Sequence, residues 1–160
     1  MVILLLVLLV IVMIFINCSD FSNNGIGDKC IISYDFDNTL KNQYTGEPVY
    51  PVLEKMTSDY KNKRKVIVCT LRKSEHLDDI YKFLKKYNME DVPVIATNHQ
   101  PKSKYLYPYY RKGYKVIHYD DQEWVLLDIR KNIPNSIGYR VLYKEANKDS
   151  KLKDVIIKYE

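Results

Sequence analysis

The sequence predicts an α/β fold in which helices cover both faces of a parallel sheet. Three observations predict it. Short runs rich in Ile and Val alternate with stretches of helical period. The runs are apolar throughout, as strands buried on both faces are. Acids, a hydroxyl and lysines recur just beyond the runs, and ligands of open parallel sheets gather at the carboxyl ends of strands.

Element by element, the chain opens with Met1 to Ile16, which carry no charged or polar side chain. As a helix this run would reach about 24 Å, slightly short of a ~30 Å hydrocarbon core. Residues 1–17 therefore read either as a secretory signal peptide or as a transmembrane anchor. The flanks lack the basic start and small cleavage pair of a signal. The nearest basic residue is Lys29, so Lys/Arg bias gives no membrane orientation. Residues 18–29, rich in Ser, Asn, Asp and Gly, read as a linker. Residues 30–160 are then one domain, long enough to bury a core without disulfides or structural metal.

Within that domain the runs at 30–34, 66–69, 92–96, 116–119 and 139–143 read as strands. Helices are expected at 52–62, 74–87, 103–112 and 122–131. The second helix is the clearest: Ser74 is placed as an N-cap, and Leu77, Ile80, Tyr81, Leu84 and Tyr87 recur at three- and four-residue spacing. The whole amounts to a three-layer, Rossmann-like parallel sheet.

Composition narrows the class. Of 160 residues, 28% are charged and 46% hydrophobic, with five Gly and six Pro, which excludes a disordered tail, a collagen-like repeat and a multi-span membrane protein. Three cysteines, Cys18, Cys30 and Cys69, are too few and too scattered for a disulfide framework or a zinc site.

The strand ends carry the chemistry. The first expected strand runs into Asp35-Phe36-Asp37-Asn38-Thr39, the second into Thr70, and the fourth into Asp120-Asp121; Lys102 and Lys104 stand at the start of the helix before the fourth. Two Asp two residues apart straddle a turn, so that one can attack while the other handles protons. Carboxylates at a neighbouring strand end suit Mg²⁺, a hard ion that takes oxygen ligands. A hydroxyl and an ammonium group stabilise the oxygens of a transferring phosphoryl group.

In this order the four elements resemble the haloacid dehalogenase-like hydrolase superfamily, and within it the phosphatases. The Asp-x-Asp-x-Thr motif matches Asp35 to Thr39, the hydroxyl closing the next strand matches Thr70, the lysine matches Lys104 or Lys102, and the acid pair matches Asp120 and Asp121. The resemblance implies that Asp35 is a nucleophile forming an aspartyl-phosphate. Asp37 would be the acid and base. The Asp35 side chain, the Asp37 backbone carbonyl and Asp120 would ligate Mg²⁺, with Asp121 beside them. Thr70 and the lysine would bind phosphate. Lys104, following Ser103 as a credible N-cap, is the preferred lysine and Lys102 the alternative. Position 38 is often Gly in the family; Asn tolerates the left-handed backbone required there.

Thirty residues separate Thr39 from Thr70, and 33 separate Thr70 from Lys104. Neither interval holds a cap domain, so the site is expected to be open, with 41–50 as a small flap and a large or exposed substrate. A nucleic-acid end, a phosphoprotein and a small phosphoester all remain open as substrates. Between Val92 and Tyr119 lie Lys102, Lys104, Arg111, Lys112 and Lys115 with interleaved tyrosines and no acid. That stretch could follow a nucleic-acid strand, an acidic phosphoprotein or anionic lipid heads, or be a solvated helix face. His118 reads as a satisfied sheet residue, Cys69 as a core residue, and Trp124 as packing its helix against the sheet. A non-catalytic scaffold at a membrane and a phosphotransferase are the rival functions.

Overall fold

The computed structural model describes residues 29–159. Residues 1–17 and all but the last residue of the expected linker lie outside them. Among the described residues, no helix is long and apolar enough to cross a membrane.

Six strands, β1 (Cys30–Tyr34), β2 (Lys65–Thr70), β3 (Val94–Ala96), β4 (Lys115–Asp120), β5 (Ile137–Val141) and β6 (Ile156–Tyr159), form one sheet in the order β3-β2-β1-β4-β5-β6. The first five are parallel, as their apolar runs predict. The last is antiparallel and adds an edge that the parallel reading lacks.

Helices α1 (Tyr50–Lys61) and α2 (Asp78–Lys86) cover one face of the sheet; α3 (Lys102–Arg111) and α4 (Glu123–Asn132) cover the other, with a short α5 (Leu152–Val155) before β6. Alternation along the strands divides the core accordingly. Ile32, Tyr34, Val66, Val68, Ile117 and Tyr119 pack with Val52, Met56, Ile80 and Leu84. Ile31, Ile67, Cys69 and Val116 pack with Leu106, Val125 and Ile129. A buried polar post joins α1 to the sheet: the Tyr34 hydroxyl donates to Asp59 at 2.7 Å, and Asp59 also accepts from Lys55 and Arg64.

At two helix starts the expected serine cap is absent. Ser74 opens a 3-10 turn, Ser74–His76, and α2 begins at Asp78 after Leu77 without a side-chain cap. Its first turn carries Asp78 and Asp79 and its last Lys85 and Lys86, charges that suit the helix dipole. Likewise α3 begins at Lys102 after Pro101, so Ser103 is a buried helical residue and not a cap. Trp124 is half exposed, because α4 presents Val125, Leu126 and Ile129 to the core.

Candidate functional site

Strand register brings the candidate carboxylates together. In the pairing of β1 with β4, Ser33 lies opposite His118 and Tyr34 opposite Tyr119. The next residues along, Asp35 and Asp120, therefore stand side by side where the strands end, on the face covered by α3. Asp35 is tied there by its backbone N–H, which donates to the Tyr119 carbonyl at 2.9 Å. Lys102, in the first turn of α3, reaches between them. Its Nζ donates to Asp35 Oδ1 at 2.5 Å and to Asp120 Oδ2 at 2.6 Å, and all three side chains are buried. Asp121 completes the group: the carboxylate oxygens of Asp35, Asp120 and Asp121 offer ligand atoms all within 4.8 Å of one another.

Supporting contacts fix this arrangement from behind. The Gln122 N–H donates to Asp120 Oδ1 at 2.9 Å, and His118 Nε2 lies 3.0 Å from Asp120 Oδ2. Asn38 takes φ 56°, a left-handed angle that Asn tolerates; its side-chain oxygen accepts the Gln43 N–H at 3.2 Å, and its amide pulls the Asp121 carboxyl down.

Burial decides the protonation. It drives Asp35 up to about 8, against the opposing pull of Lys102. Burial also works against charge on Asp120, but Lys102 and His118 outweigh it and hold that carboxyl at about 2. Asp121 is raised to about 6, first by burial and then by Asp120. Lys102 would lose its proton more easily through burial alone, yet Asp120 and Asp35 leave it raised and cationic. Burial lowers His118, so it sits neutral against Asp120. Cys69 on the same face is pushed up to about 12 by burial and stays a thiol.

One ammonium among three carboxylates leaves negative charge to be met. Asp121 Oδ1 is buried and has no hydrogen-bond partner among the described residues. Such an orphaned oxygen beside two other carboxylates fits a small, hard divalent cation.

The remaining candidates separate clearly. Lys104 is exposed on α3 and lines a shallow surface groove with Tyr107 and Asp128. The preference for Lys104 is thus corrected: Lys102 is the lysine in the carboxylate cluster. Thr70 is buried at the end of β2, and its Oγ1 accepts the Arg72 N–H at 3.3 Å. The Asp37 carboxylate stands apart from the convergent trio, partly exposed and gripped in a fork by Arg72, with Nε donating to Oδ2 at 2.8 Å and Nη2 to Oδ1 at 2.7 Å. Arg72 also donates to Asp79 at 2.5 Å and to the His76 carbonyl at 3.2 Å, and lies 5.1 Å from the Phe36 ring centre. Sequence reasoning missed Arg72. Its only signal was a cation two residues past Thr70, and its partner Asp37 lies 35 positions away.

No family model, curated protein or solved structure matches the chain. The site's own groups define what it can do. A buried carboxylate with an ammonium beside it, two further acids at hand and a fourth acid held nearby by a guanidinium can bind a cation, neutralise an anionic substrate and move a proton.

Proposed function

We propose that the chain is a Mg²⁺-dependent phosphomonoester hydrolase of the haloacid dehalogenase-like kind, without a cap domain. The observation that supports this most is the meeting of Asp35, Asp120 and Asp121 at the carboxyl ends of adjacent parallel strands, with Lys102 inserted among them. These three acids would hold the ion, together with the Asp37 backbone carbonyl that the family resemblance implies. When bound, Mg²⁺ supplies positive charge that offsets the phosphate oxygens and keeps the carboxylates ionised.

In the first half-reaction an Asp35 oxygen attacks phosphorus while the bond from phosphorus to the leaving oxygen breaks. Asp37 gives its proton to that oxygen. In the second, water attacks the phosphorus of the aspartyl-phosphate, Asp37 takes the water's proton, and Asp35 leaves with its bonding pair as inorganic phosphate forms. Arg72 grips Asp37 by both oxygens while it is a carboxylate and by one while the other oxygen carries the proton. Lys102 and the Thr70 hydroxyl offer donors to phosphoryl oxygens.

Between Phe36 and Tyr50 the chain makes only tight turns and short bridges, Asp37 with Lys41 and Lys41 with Pro48. Tyr44 stands exposed at its tip. An entrance so lightly covered suits a phosphate displayed on a large or exposed substrate. The apolar run of residues 1–16 would hold the enzyme at a membrane or direct its export.

The test is hydrolysis of an aryl phosphate by the purified chain with Mg²⁺. Chelation should abolish turnover, and Asp35→Asn should lower it by at least about 1000-fold with the circular dichroism spectrum unchanged. Equal turnover in Asp35→Asn would refute the assignment.

A further inference from the structure

The end of the sheet opposite the carboxylates is strongly basic. Lys29, Lys65 and Lys115 stand at the starts of three neighbouring strands: Lys65 pairs with Ile31, Lys115 with Cys30, and the Lys115 N–H donates to the Lys29 carbonyl. Lys63, in the turn before β2, and Arg111 and Lys112, at the end of α3, extend the same surface. All six are exposed, and none pairs with a carboxylate among the described residues. The nearby Asp59 is buried and already satisfied by Lys55 and Arg64. Glu90 and Asp91 belong to the turn before β3, at the sheet's edge.

Compensation of helix dipoles accounts for Arg111, at a helix end. It does not account for Lys29, Lys63, Lys65 or Lys115, which lie outside helices. Beside Lys29 and Lys115 opens a concavity of about 330 Å³, lined also by Tyr110, Tyr114 and Asn135. The stretch 92–119 is thus no continuous basic track. Lys102 is buried among the carboxylates, while Arg111, Lys112 and Lys115 lie at the far end of the domain. These cations stand a strand's length away from the carboxylate cluster.

The sequence before Lys29 points the same way. Twelve residues, 17–28, separate Lys29 from the uncharged run of residues 1–16, a span of at most about 40 Å. Were that run embedded in lipid, the surface held nearest the bilayer would be this basic one, at a high effective concentration.

We propose that this basic end docks on an anionic phospholipid surface, with the concavity beside Lys29 receiving a headgroup phosphate and the carboxylate cluster facing away from the bilayer. The membrane then orients the site towards substrates in the aqueous phase. Negative surface potential attracts such clusters of Lys and Arg and is screened by salt.

The test is lysine-acetylation footprinting of the full chain in nanodiscs of phosphatidylcholine alone and of phosphatidylcholine with phosphatidylserine. Labelling of Lys29, Lys63, Lys65, Lys112 and Lys115 should fall several-fold only in the anionic discs and recover in high salt. Lys73, Lys144 and Lys148 should label equally in both. The variant Lys63→Glu/Lys112→Glu/Lys115→Glu, exposed at all three positions, should lose the difference at Lys29 and Lys65. Equal labelling in the two discs overturns the proposal, and so does protection by a single-stranded oligonucleotide without protection by the anionic lipid. If the chain does not insert into discs, flotation with vesicles of the same two compositions decides the matter: binding to the anionic vesicles alone supports the docking, and equal flotation with both overturns it. The footprint needs no turnover, so failure of the phosphatase reading would leave it intact.

Discussion

At the scale of single residues, Lys102 carries the largest burden. Among the described residues its ammonium is the one cation in contact with both Asp35 and Asp120, and the three are buried. Replacing it by Met leaves the ionised Asp120 without its cation in a poorly solvated space. Removing one partner of a buried ion pair costs about 3 kcal/mol or more. Lys104→Met, on the exposed side of the same helix, should stay within about 0.5 kcal/mol of the parent. Denaturant unfolding of the two variants checks this, and similar midpoints would contradict the placement of Lys102. The sequence made this pair of lysines hard to separate. A Ser before Lys104 imitates an N-cap, whereas α3 starts one residue beyond a proline whose ring already fixes the backbone. The two positions from Lys102 to Lys104 turn a side chain by about 200°, enough to exchange a buried ion pair for solvent.

At the scale of elements, Arg72 links three of them. Its guanidinium holds Asp37 after β1, the His76 carbonyl of the 3-10 turn and Asp79 in the first turn of α2. Arg72→Gln keeps some donors but loses the planar fork. Partly exposed as these contacts are, the stability loss should be about 1 kcal/mol. Aryl phosphate turnover should drop by about 10- to 100-fold, because Asp37 loses its aim. Steady-state kinetics across pH separates that loss from a simple folding defect: kcat should fall with its pH dependence altered. An unchanged profile would leave Arg72 merely structural. Elements legible in the sequence were those whose own side chains specify them, such as β1, β2 and β4 with their runs of Ile and Val. β6 was illegible because Ile156-Ile157-Lys158-Tyr159 is a four-residue edge, held by its antiparallel pairing with β5 more than by its own pattern. The Arg72 fork was illegible for a related reason: nothing local marks an ion pair between residues so distant in sequence. The candidate acids were legible because each directly follows an apolar strand, and parallel register then gathers them without further instruction.

At the scale of the whole molecule, the clustered carboxylates set fold stability against readiness for a cation. Asp35 has an ordinary pKa of 3.8 when unfolded and about 8 in the fold. Between those values the native protein holds a proton that the unfolded chain has released, so stability falls as pH rises through the window. Asp121, raised to about 6, adds to the slope below that point. Asp120 acts in the opposite sense, since its depressed carboxyl contributes stability above pH 4 that is lost only on further acidification towards 2. The metal-free protein should therefore melt at progressively lower temperature from pH 5 to pH 8. Asp35→Asn, a neutral stand-in for the protonated acid, should flatten this slope and exceed the parent in stability most at pH 8. A divalent ion reverses the balance, because ligand carboxylates must shed their protons to bind it. Added Mg²⁺ should raise the melting temperature of the parent more at pH 8 than at pH 6, and hardly at all in Asp35→Asn. Calorimetry with and without chelator measures each arm. A parent whose melting temperature is level across the window without metal would show that Asp35 keeps its ordinary charge, and that the cluster is not the strained, cation-seeking arrangement its burial implies.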